Sequence, residues 1–513
     1  MFAKRRNLIA FWAGCACVCL GVVIHLPMFV QLVAGYRAKA GAADAMGTGA
    51  MDGMAKASPF ALTIDPPMLA GMVLIVAGVL MTAYGLIPRA QSETGPQASA
   101  PSAAVHPDAK LSASNWIMMG VLTLALIIDT MKPATLGFVL PGVSKEYGLV
   151  RAQAAWLPFV ALVGTAVGSM AWGVLCDLYG RRAAILLAAV MFIGTSICGA
   201  MPSFGWNLIM CFMMGAAAGG MLPVAYTLLT ETMPARSRGW ALVLVGGLGS
   251  VGGYLAASSA AAVLEPVYSW RILWLLGLPT GVLLILLNRF IPESADFLRS
   301  RRQVASNTGA VAAPGPLSLR WMLLLAALTL VGLAWGLVNF GVLLWLPTEL
   351  IARGQGFAGM GALLSKSALF AAPVIVLVAA AYSKWSGAKT LIATIVVSVL
   401  GLCGLLVMDL PAFQSGLGPL PWVVLLIVGI NGVLATVLPF AAENSALVIR
   451  GRATGWVAGS TKAGGILAQA LGLVGIAPSL SVAAIFVAAL FVVAAGLLSL
   501  NLSWPTVRLA PAT

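Results

Sequence analysis

The sequence GVLCDLYGRR, residues 173–182, lies between two long apolar runs and governs how the rest of the chain is interpreted. Gly180 allows the chain to reverse direction in a short turn, because glycine lacks the Cβ atom that restricts other residues. Asp177 stands near the end of the first run, and Arg181 and Arg182 open the second. A short charged turn between apolar segments indicates two membrane-spanning helices joined on one side of a bilayer.

The composition of the whole chain also indicates that much of its surface lies in lipid. Of 513 residues, 61% are hydrophobic and 9% are charged, and the mean hydropathy is +1.01. A water-soluble domain has about 25% charged residues. The net charge of +14 does not indicate nucleic-acid binding, because Lys and Arg lie in short loops and form no basic stripe with aromatics. With two histidines and no hydrolytic or redox constellation, the sequence predicts neither an enzyme nor a bound cofactor.

Fourteen apolar runs approach the length of about 20 residues that a transmembrane helix needs. The seven cysteines fall almost entirely within these runs, without paired spacing, so we expect no disulfide or metal site. The basic N-terminus is followed by a run too long for a signal peptide, and we interpret it as an uncleaved first span. Spans 1–14 are predicted at about 8–34, 66–87, 115–141, 151–176, 182–201, 205–231, 238–264, 270–291, 320–350, 357–383, 388–409, 420–447, 452–477 and 481–504.

The spans divide the chain into unequal parts. Most Lys and Arg residues fall in the loops on the side of the N-terminus, so we predict that both termini are cytoplasmic and that the protein lies in the cell inner membrane. Six spans on each side of a charged loop indicate two repeated halves. The predicted parts are a two-helix extension at 1–88 with an outer loop at 37–65, a flexible linker at 89–114, a six-helix bundle at 115–291, a central cytoplasmic loop at 292–319 and a second bundle at 320–513.

The sequence at 173–182 resembles the G-x-L-x-D-x-x-G-R-R signature of the major facilitator superfamily. Residues 231–239 (ETMPARSRG) and 292–298 (PESADFL) are similar to segments of sugar porters and their organic-acid relatives. Residues 345–348 (WLPT) resemble a segment of aromatic-acid and nicotinate proton symporters. The resemblance covers about 115–505. It implies an all-α membrane protein with the 12-helix fold of two pseudo-symmetric six-helix halves, here preceded by two extra transmembrane helices, 14 in total.

The loop motifs also name candidate gating residues. Charge clusters at helix ends can break and re-form as two halves of a transporter rock. The second-half copy of the first motif, YSKWSGAK at 382–389, lacks an acid at the Asp position, so we expect the first half to dominate the cytoplasmic gate. The predicted gating residues are Gly173, Asp177, Gly180, Arg181, Arg182, Glu231, Arg238, Glu443, Arg450 and Arg452.

Four ionisable residues lie deep inside apolar spans: Asp129, Lys132, Lys366 and Lys462. A charge near the bilayer centre costs about 2.5–3.5 kcal/mol, so such residues usually face a water-filled cavity. We predict that Asp129 carries a coupling proton and that the lysines bind substrate. Four charges in one cavity would sum to +2 and favour an anion. The alternatives are an internal Asp129–Lys132 pair that only fixes packing, and lysines that snorkel to an interface.

Three neutral residues complete the predicted substrate site: Trp335, Asn339 and Asn431. Trp335 and Asn339 share a helix face, and an aromatic ring near amides suits a planar acid. The alternative is that they form hydrogen bonds between helices.

The sequence thus predicts proton-coupled uptake of a small organic anion by alternating access, in a membrane protein with no nucleic-acid partner. Proton-driven efflux of drugs or metabolites is a second reading, weakened because Ser250 replaces the proline of drug antiporters. A metal-handling or sensory protein is a third, since Met46, Met51 and Met54 in the outer loop are soft ligands. The sequence gives no answer on the identity of the substrate or on the oligomeric state.

Overall fold

The computed structural model describes residues 2–46, 60, 62, 65–86, 111–294, 319–352, 354, 356–407, 419–445, 450–476 and 478–503. Met51 and Met54 of the predicted metal loop, most of the predicted linker and most of the central loop lie outside these residues. The side chains of Met46, Asp177, Arg450 and Arg452 also lie outside the described set.

The described chain forms helices at every predicted span. Spans 1 to 8 contain the helices Phe2–Ile24, Leu26–Met46, Pro66–Leu86, Ala113–Tyr147, Arg151–Ala154, Trp156–Tyr179, Arg181–Gly194, Thr195–Ala200, Phe204–Ala218, Met221–Thr232, Ala235–Val263, Ile272–Leu275, Gly277–Leu286 and Leu287–Phe290, with the short helix Glu265–Tyr268 before span 8. Spans 9 to 14 contain Leu319–Leu337, the π-helix Val338–Val342, Leu343–Ala352, Phe357–Lys384, Gly387–Val407, Leu420–Glu443, Arg450–Leu473 and Leu480–Ser503. The first span extends beyond the prediction, since its second helix continues to Met46.

Thirteen of the described helices are long and apolar enough to cross a membrane. The remaining predicted span, span 13, is the helix Arg450–Leu473, which has 24 residues but carries Lys462, Gln469 and several glycines. It packs against spans 4, 9 and 12 inside the bundle. Its polar residues therefore lie where protein, and not lipid, surrounds much of the helix.

Helix packing shows that the bundle consists of two similar halves. In the first half span 3 packs on span 7, span 4 on span 6 and span 5 on span 8. The second half repeats this order six spans later, with contacts between spans 9 and 13, 10 and 12, and 11 and 14. The halves meet where span 7 packs on span 10, span 4 on span 13, and the end of span 9 on span 3. This is the arrangement expected of an internal repeat.

Spans 1 and 2 form an antiparallel pair that packs on the first half through span 5. A side-chain methyl of Ile75 fills the space beside Gly194, where a Cβ atom would lie 2.8 Å from it. As a result 94% of the apolar stretch of span 5 is buried, against 50% in span 11, its counterpart in the second half. The extra pair therefore covers a surface that would otherwise face lipid.

Candidate functional site

A cavity of about 780 Å³ lies between the two halves. Spans 3, 4, 6 and 7 of the first half and spans 9, 12 and 13 of the second half line it. Most of the wall is apolar, with Phe138, Trp335 and Phe340 as aromatic members. Among the described residues, the carboxylate and ammonium side chains on this wall belong to Asp129 and Lys462.

Asp129 lies midway along span 3, four residues before Pro133. The residue is 5% exposed, and its Oδ1 atom has no hydrogen-bond partner. The neighbouring Thr130 hydroxyl donates to the carbonyls of Leu126 and of Gly249 in span 7, at 2.7 and 2.8 Å, and so fixes span 3 against span 7. A buried carboxylate oxygen without a partner is costly, so this group requires a proton, a ligand or a counter-charge.

Lys462 approaches the same cavity from span 13 of the other half. Its Nζ atom lies 5.9 Å from the centre of the Phe340 ring, within the range of a cation–π interaction. Lys462 and Asp129 attract each other electrostatically across the interface between the halves. The described ion pairs are Arg181–Glu231 and Arg271–Glu146, so Lys462 and Asp129 face each other without forming a direct pair.

The other two lysines do not join this cavity. Lys132 Nζ donates to the Phe192 carbonyl at 2.5 Å and to Thr195 Oγ1 at 2.9 Å, inside the first half. Lys366 is exposed on span 10 and is absent from the cavity wall. The alternative of an internal Asp129–Lys132 pair is therefore not formed either, because the lysine side chain reaches span 5 instead. The cavity charge is also corrected, from +2 to a sum of zero when Asp129 and Lys462 are both ionised.

The three neutral residues predicted for substrate binding all lie on the cavity wall. Trp335 donates its indole N–H to the Ile430 carbonyl at 2.9 Å and contacts Phe340 edge to face at 5.8 Å. Asn431 donates to the Ile427 carbonyl at 2.8 Å and accepts a hydrogen bond from Ser250 of the first half. Asn339 lies in the π-helix of span 9 and is half-buried. Their roles in substrate binding stay predictions.

The first-half motifs converge at one end of the bundle, here called the motif end. Gly180 has a φ of 99°, a left-handed conformation that favours glycine. Arg181 forms a two-pronged ion pair with Glu231, at 3.1 and 2.9 Å, and its backbone N–H donates to Glu293 at 2.8 Å. Arg182 donates to Asn288 at 2.5 Å. Arg181, Glu231 and Glu293, one from each of the three motif segments, thus form one connected cluster.

The other predicted gating residues lie around this cluster. Gly173 lines the cavity, and no atom lies within 4 Å of the position of its missing Cβ. Arg238 donates to the Met233 carbonyl at 3.5 Å, and Glu443 accepts a hydrogen bond from the Tyr382 hydroxyl at 2.8 Å. The side chains of Asp177, Arg450 and Arg452 are outside the described residues.

The cavity differs at its two ends. At the end away from the motifs, here called the opposite end, a Cβ on Gly137 would lie 2.8 Å from the Leu344 carbonyl of span 9. The Arg151 guanidinium of span 4 lies over the Trp345 ring of span 9 at 4.9 Å. Toward the motif end, Met170 and Val174 of span 4 line the cavity but are 76% and 60% exposed. The cavity is therefore closed at the opposite end and open toward the motif end.

Sequence reasoning did not foresee the contacts that several residues make beside this site. Gln469 of span 13 is fully buried and donates to the carbonyl of Phe340. Phe340 and Trp345 are aromatic residues in an apolar span, where the sequence predicts only packing against neighbouring helices. No sequence pattern marks the π-helix at Val338–Val342, so the hydrogen bond between the Phe340 carbonyl and Gln469 was not foreseeable.

The sequence profile of the Major Facilitator Superfamily matches residues 118–468. This range includes most of both halves and every cavity-lining residue described above.

The chain belongs to the Major Facilitator Superfamily.

Two transporters of known substrate resemble parts of this chain. The niacin transporter NiaP of Acinetobacter baylyi is 27% identical over 191 residues, which is 37% of this chain and 43% of that relative. The 4-hydroxybenzoate transporter PcaK of the same organism is 30% identical over 197 residues, 37% of this chain and 42% of that relative. The chain thus spans less than half the length of these two relatives in the matched segments.

A solved structure supports the fold across a longer range. The crystal structure of a D-xylose-proton symporter superposes with a TM-score of 0.58 at 14% identity and covers 75% of this chain and 97% of that chain. This likeness shows the shared superfamily fold. No group of three or more His, Cys, Asp or Glu side chains suited to a metal is present among the described residues.

Proposed function

We propose that this protein is a secondary active transporter that couples proton entry to the uptake of a small organic anion, with an aromatic carboxylate as the preferred class. The observation that carries the proposal is the placement of Asp129 and Lys462 on one cavity wall, from opposite halves, without a direct ion pair. We further propose an inner-membrane location with both termini and the motif end on the cytoplasmic side.

Charge balance explains why these two residues would link protons to anions. With Asp129 ionised, its negative charge compensates Lys462 across the cavity. Once Asp129 takes a proton, Lys462 is left without a counter-charge in surroundings of low dielectric constant, where Coulombic interactions are strong. A substrate carboxylate then restores neutrality. Proton and anion would therefore enter together, and the cavity would be neutral both empty and fully loaded.

The cavity wall suits a flat apolar ring attached to that carboxylate. Phe340 and Trp335 meet edge to face beside Lys462, and Phe138 lies farther along span 3. Aromatic pairs of this kind provide large contact areas for a ring. The two relatives are named for niacin and 4-hydroxybenzoate, which are both small acids with one aromatic ring.

Alternating access would move the substrate across the membrane. The structure has its cavity open toward the motif end and closed at the opposite end, which we propose is the inward-open state. Rocking of the two halves would open the Arg151–Trp345 end and close the motif end. The distance between Asp129 and Lys462 would change during this motion, because each belongs to a different half.

Uptake into proteoliposomes tests the proposal. Radiolabelled 4-hydroxybenzoate and nicotinate are supplied outside vesicles whose lumen is more alkaline than the medium. We expect wild-type protein to accumulate at least one acid above its external concentration, and a protonophore to abolish accumulation. Asp129→Asn should lose accumulation driven by the pH gradient while exchange of labelled for unlabelled acid persists. Unchanged pH-driven uptake in Asp129→Asn would remove the coupling role, and no accumulation of any carboxylate by wild type would reject the function.

A further inference from the structure

The π-helix of span 9 depends on a residue from span 13. A π-turn widens the helix, so a backbone carbonyl loses its usual partner four residues later. In span 9 the Phe340 carbonyl accepts a hydrogen bond from the Gln469 side-chain amide. Gln469 is fully buried, so water does not replace this donor. The glutamine therefore stabilises the irregular backbone at the middle of the cavity wall.

The orientation of Phe340 determines the surroundings of Lys462. The Phe340 ring lies under the Lys462 ammonium at 5.9 Å and against the edge of Trp335 at 5.8 Å. Gly465 of span 13 packs against the same ring, where a Cβ atom would lie 2.5 Å from Phe340 Cδ2. A shift of the π-turn would therefore move the ring and change the position of the cation that we propose binds the substrate.

The same glutamine also reaches the contact that closes the opposite end. Its Oε1 atom accepts a hydrogen bond from the Trp345 indole N–H at 3.3 Å. Trp345 in turn lies beneath the Arg151 guanidinium of the first half, at 4.9 Å. One amide thus bonds both to the cavity wall and to the aromatic ring at the closure.

We propose that Gln469 is a positioning residue that couples closure of the opposite end to the shape of the substrate site. When Arg151 and Trp345 separate, the Trp345–Gln469 hydrogen bond transmits the movement to the Phe340 carbonyl, and the Phe340 ring shifts beneath Lys462. This rests on the alternating-access function proposed above. By reciprocity, a ligand bound beside Lys462 changes how readily the Arg151–Trp345 contact opens.

Accessibility of the opposite end can be measured without any substrate. Ala155 is fully buried there and packs on Gly472 of the other half, 3.4 Å from where a Cβ would be. The thiol of an Ala155→Cys variant, in a Cys403→Ala background because Cys403 is exposed, is labelled by a water-soluble maleimide in nanodiscs. We expect Gln469→Leu and Trp345→Phe each to change the labelling rate about fivefold or more, the lower end of typical coupling between sites.

A matched control exists on the same two spans. Trp456 of span 13 donates its indole N–H to Thr329 of span 9 at 2.9 Å, but at an exposed position far from the closure. Trp456→Phe removes an equivalent hydrogen bond and should leave labelling within about twofold. Equal effects of Trp345→Phe and Trp456→Phe would overturn the proposal. Unchanged labelling in Gln469→Leu would also overturn it, provided that size-exclusion chromatography shows this variant to be folded.

A double-variant cycle tests whether the residues act as one chain. Arg151→Gln and Gln469→Leu should together change the labelling rate by clearly less than the product of their separate effects, because each breaks the same connection. Simple multiplication of the two effects would overturn the coupling. Binding of 4-hydroxybenzoate, followed by thermal shift, should weaken in Gln469→Leu. If wild type binds no carboxylate while the labelling effects persist, the transport proposal fails and the mechanical coupling stands.

Discussion

Asp129 and Lys462 face one cavity from opposite halves of the bundle, and their charges interact without a direct ion pair. Asp129 is held on span 3, which Thr130 fixes to span 7, whereas Lys462 rests on the Phe340 ring of the second half. Any rocking of the halves changes the separation of these two charges. In the alternating-access function proposed above, the free-energy difference between the protonated and ionised states would therefore differ between the two orientations, which is the physical requirement for coupling.

The three buried or membrane-embedded lysines should behave differently when their charge is removed. Lys462→Gln should weaken carboxylate binding by about 10- to 100-fold, since a hydrogen bond to a charged group contributes about 1.5–3 kcal/mol. Lys366→Gln is the matched control, because Lys366 is exposed and does not line the cavity. Affinity for 4-hydroxybenzoate, measured by scintillation proximity, decides the matter. Equal losses in both variants would show that the effect is not specific to the cavity.

Lys132 should act on stability and leave substrate selection unchanged. Its ammonium binds the Phe192 carbonyl and Thr195 inside the first half, so Lys132→Met leaves buried acceptors unsatisfied. Such a loss costs about 1–3 kcal/mol per group. We expect a lower melting temperature in detergent, with the relative affinities for two acids retained. A variant with normal melting temperature and altered substrate preference would contradict this assignment.

The fold could be predicted from the sequence because bilayer thickness fixes the length of apolar runs. Every predicted span coincides with one or more described helices, and the motif at 173–182 does join spans 4 and 5. Span 13 is the informative case. Its polar residues lower its hydropathy below that of the other thirteen, yet the two-half repeat requires a helix there, and the structure has one at Arg450–Leu473.

The site could be predicted only in part. Asp129, Lys462, Trp335, Asn339 and Asn431 lie on the cavity wall, because intramembrane polar groups avoid lipid. The face on which a side chain lies is not visible in an all-apolar helix, so the sequence groups Lys132 and Lys366 with them although neither lines the cavity. The role of Gln469 could not be predicted without knowing that span 9 contains a π-turn. That turn depends on contacts between helices and has no local sequence signal.

The Arg181–Glu231 ion pair should tolerate an exchange of its two residues. Both side chains are largely buried, with exposures of 11% and 17%, and they form two hydrogen bonds between spans 5 and 6. Arg181→Glu places like charges together and should lower melting temperature and uptake strongly. The double variant Arg181→Glu with Glu231→Arg should recover a substantial part of both. If the double variant is no better than the single one, other contacts of Arg181, such as its position beside Glu293, dominate.

Spans 1 and 2 should be held to the bundle by the fit of Ile75 beside Gly194. Gly194→Leu would place a side chain where Ile75 already lies, whereas Gly120→Leu adds the same side chain in open space. The measurement is co-purification of residues 1–110 with residues 111–513 expressed as two chains. We expect Gly194→Leu to lower recovery of the short chain and Gly120→Leu to leave it unchanged. Uptake by 111–513 alone should persist, because span 5 is apolar and lipid can replace its cover. Equal recovery in the two variants would show that other contacts hold the pair.

Glu265 should make the stability of the protein depend on pH. It lies in the short helix Glu265–Tyr268 between spans 7 and 8 and is 5% exposed. Burial raises the pKa of Glu265 to about 7 from its ordinary 4.5, and Lys145 offsets part of this. The folded state therefore holds this proton more tightly than the unfolded chain does. Its contribution to stability is fully present below pH 4.5 and is lost as the pH rises through about 7.

The melting temperature in detergent should accordingly fall between pH 5 and pH 8 in the wild type and fall less in Glu265→Gln, which stays neutral throughout. Asp65→Asn is the control, because Asp65 is exposed and its removal should leave the pH slope of the wild type intact. Parallel slopes for the wild type and Glu265→Gln would mean that the carboxyl is solvated in the folded protein. A steeper slope in Glu265→Gln would instead mean that the ionised Glu265 carboxylate stabilises the fold. Lys145, the nearby cation that acts on this carboxylate, would then be the source of that stabilisation.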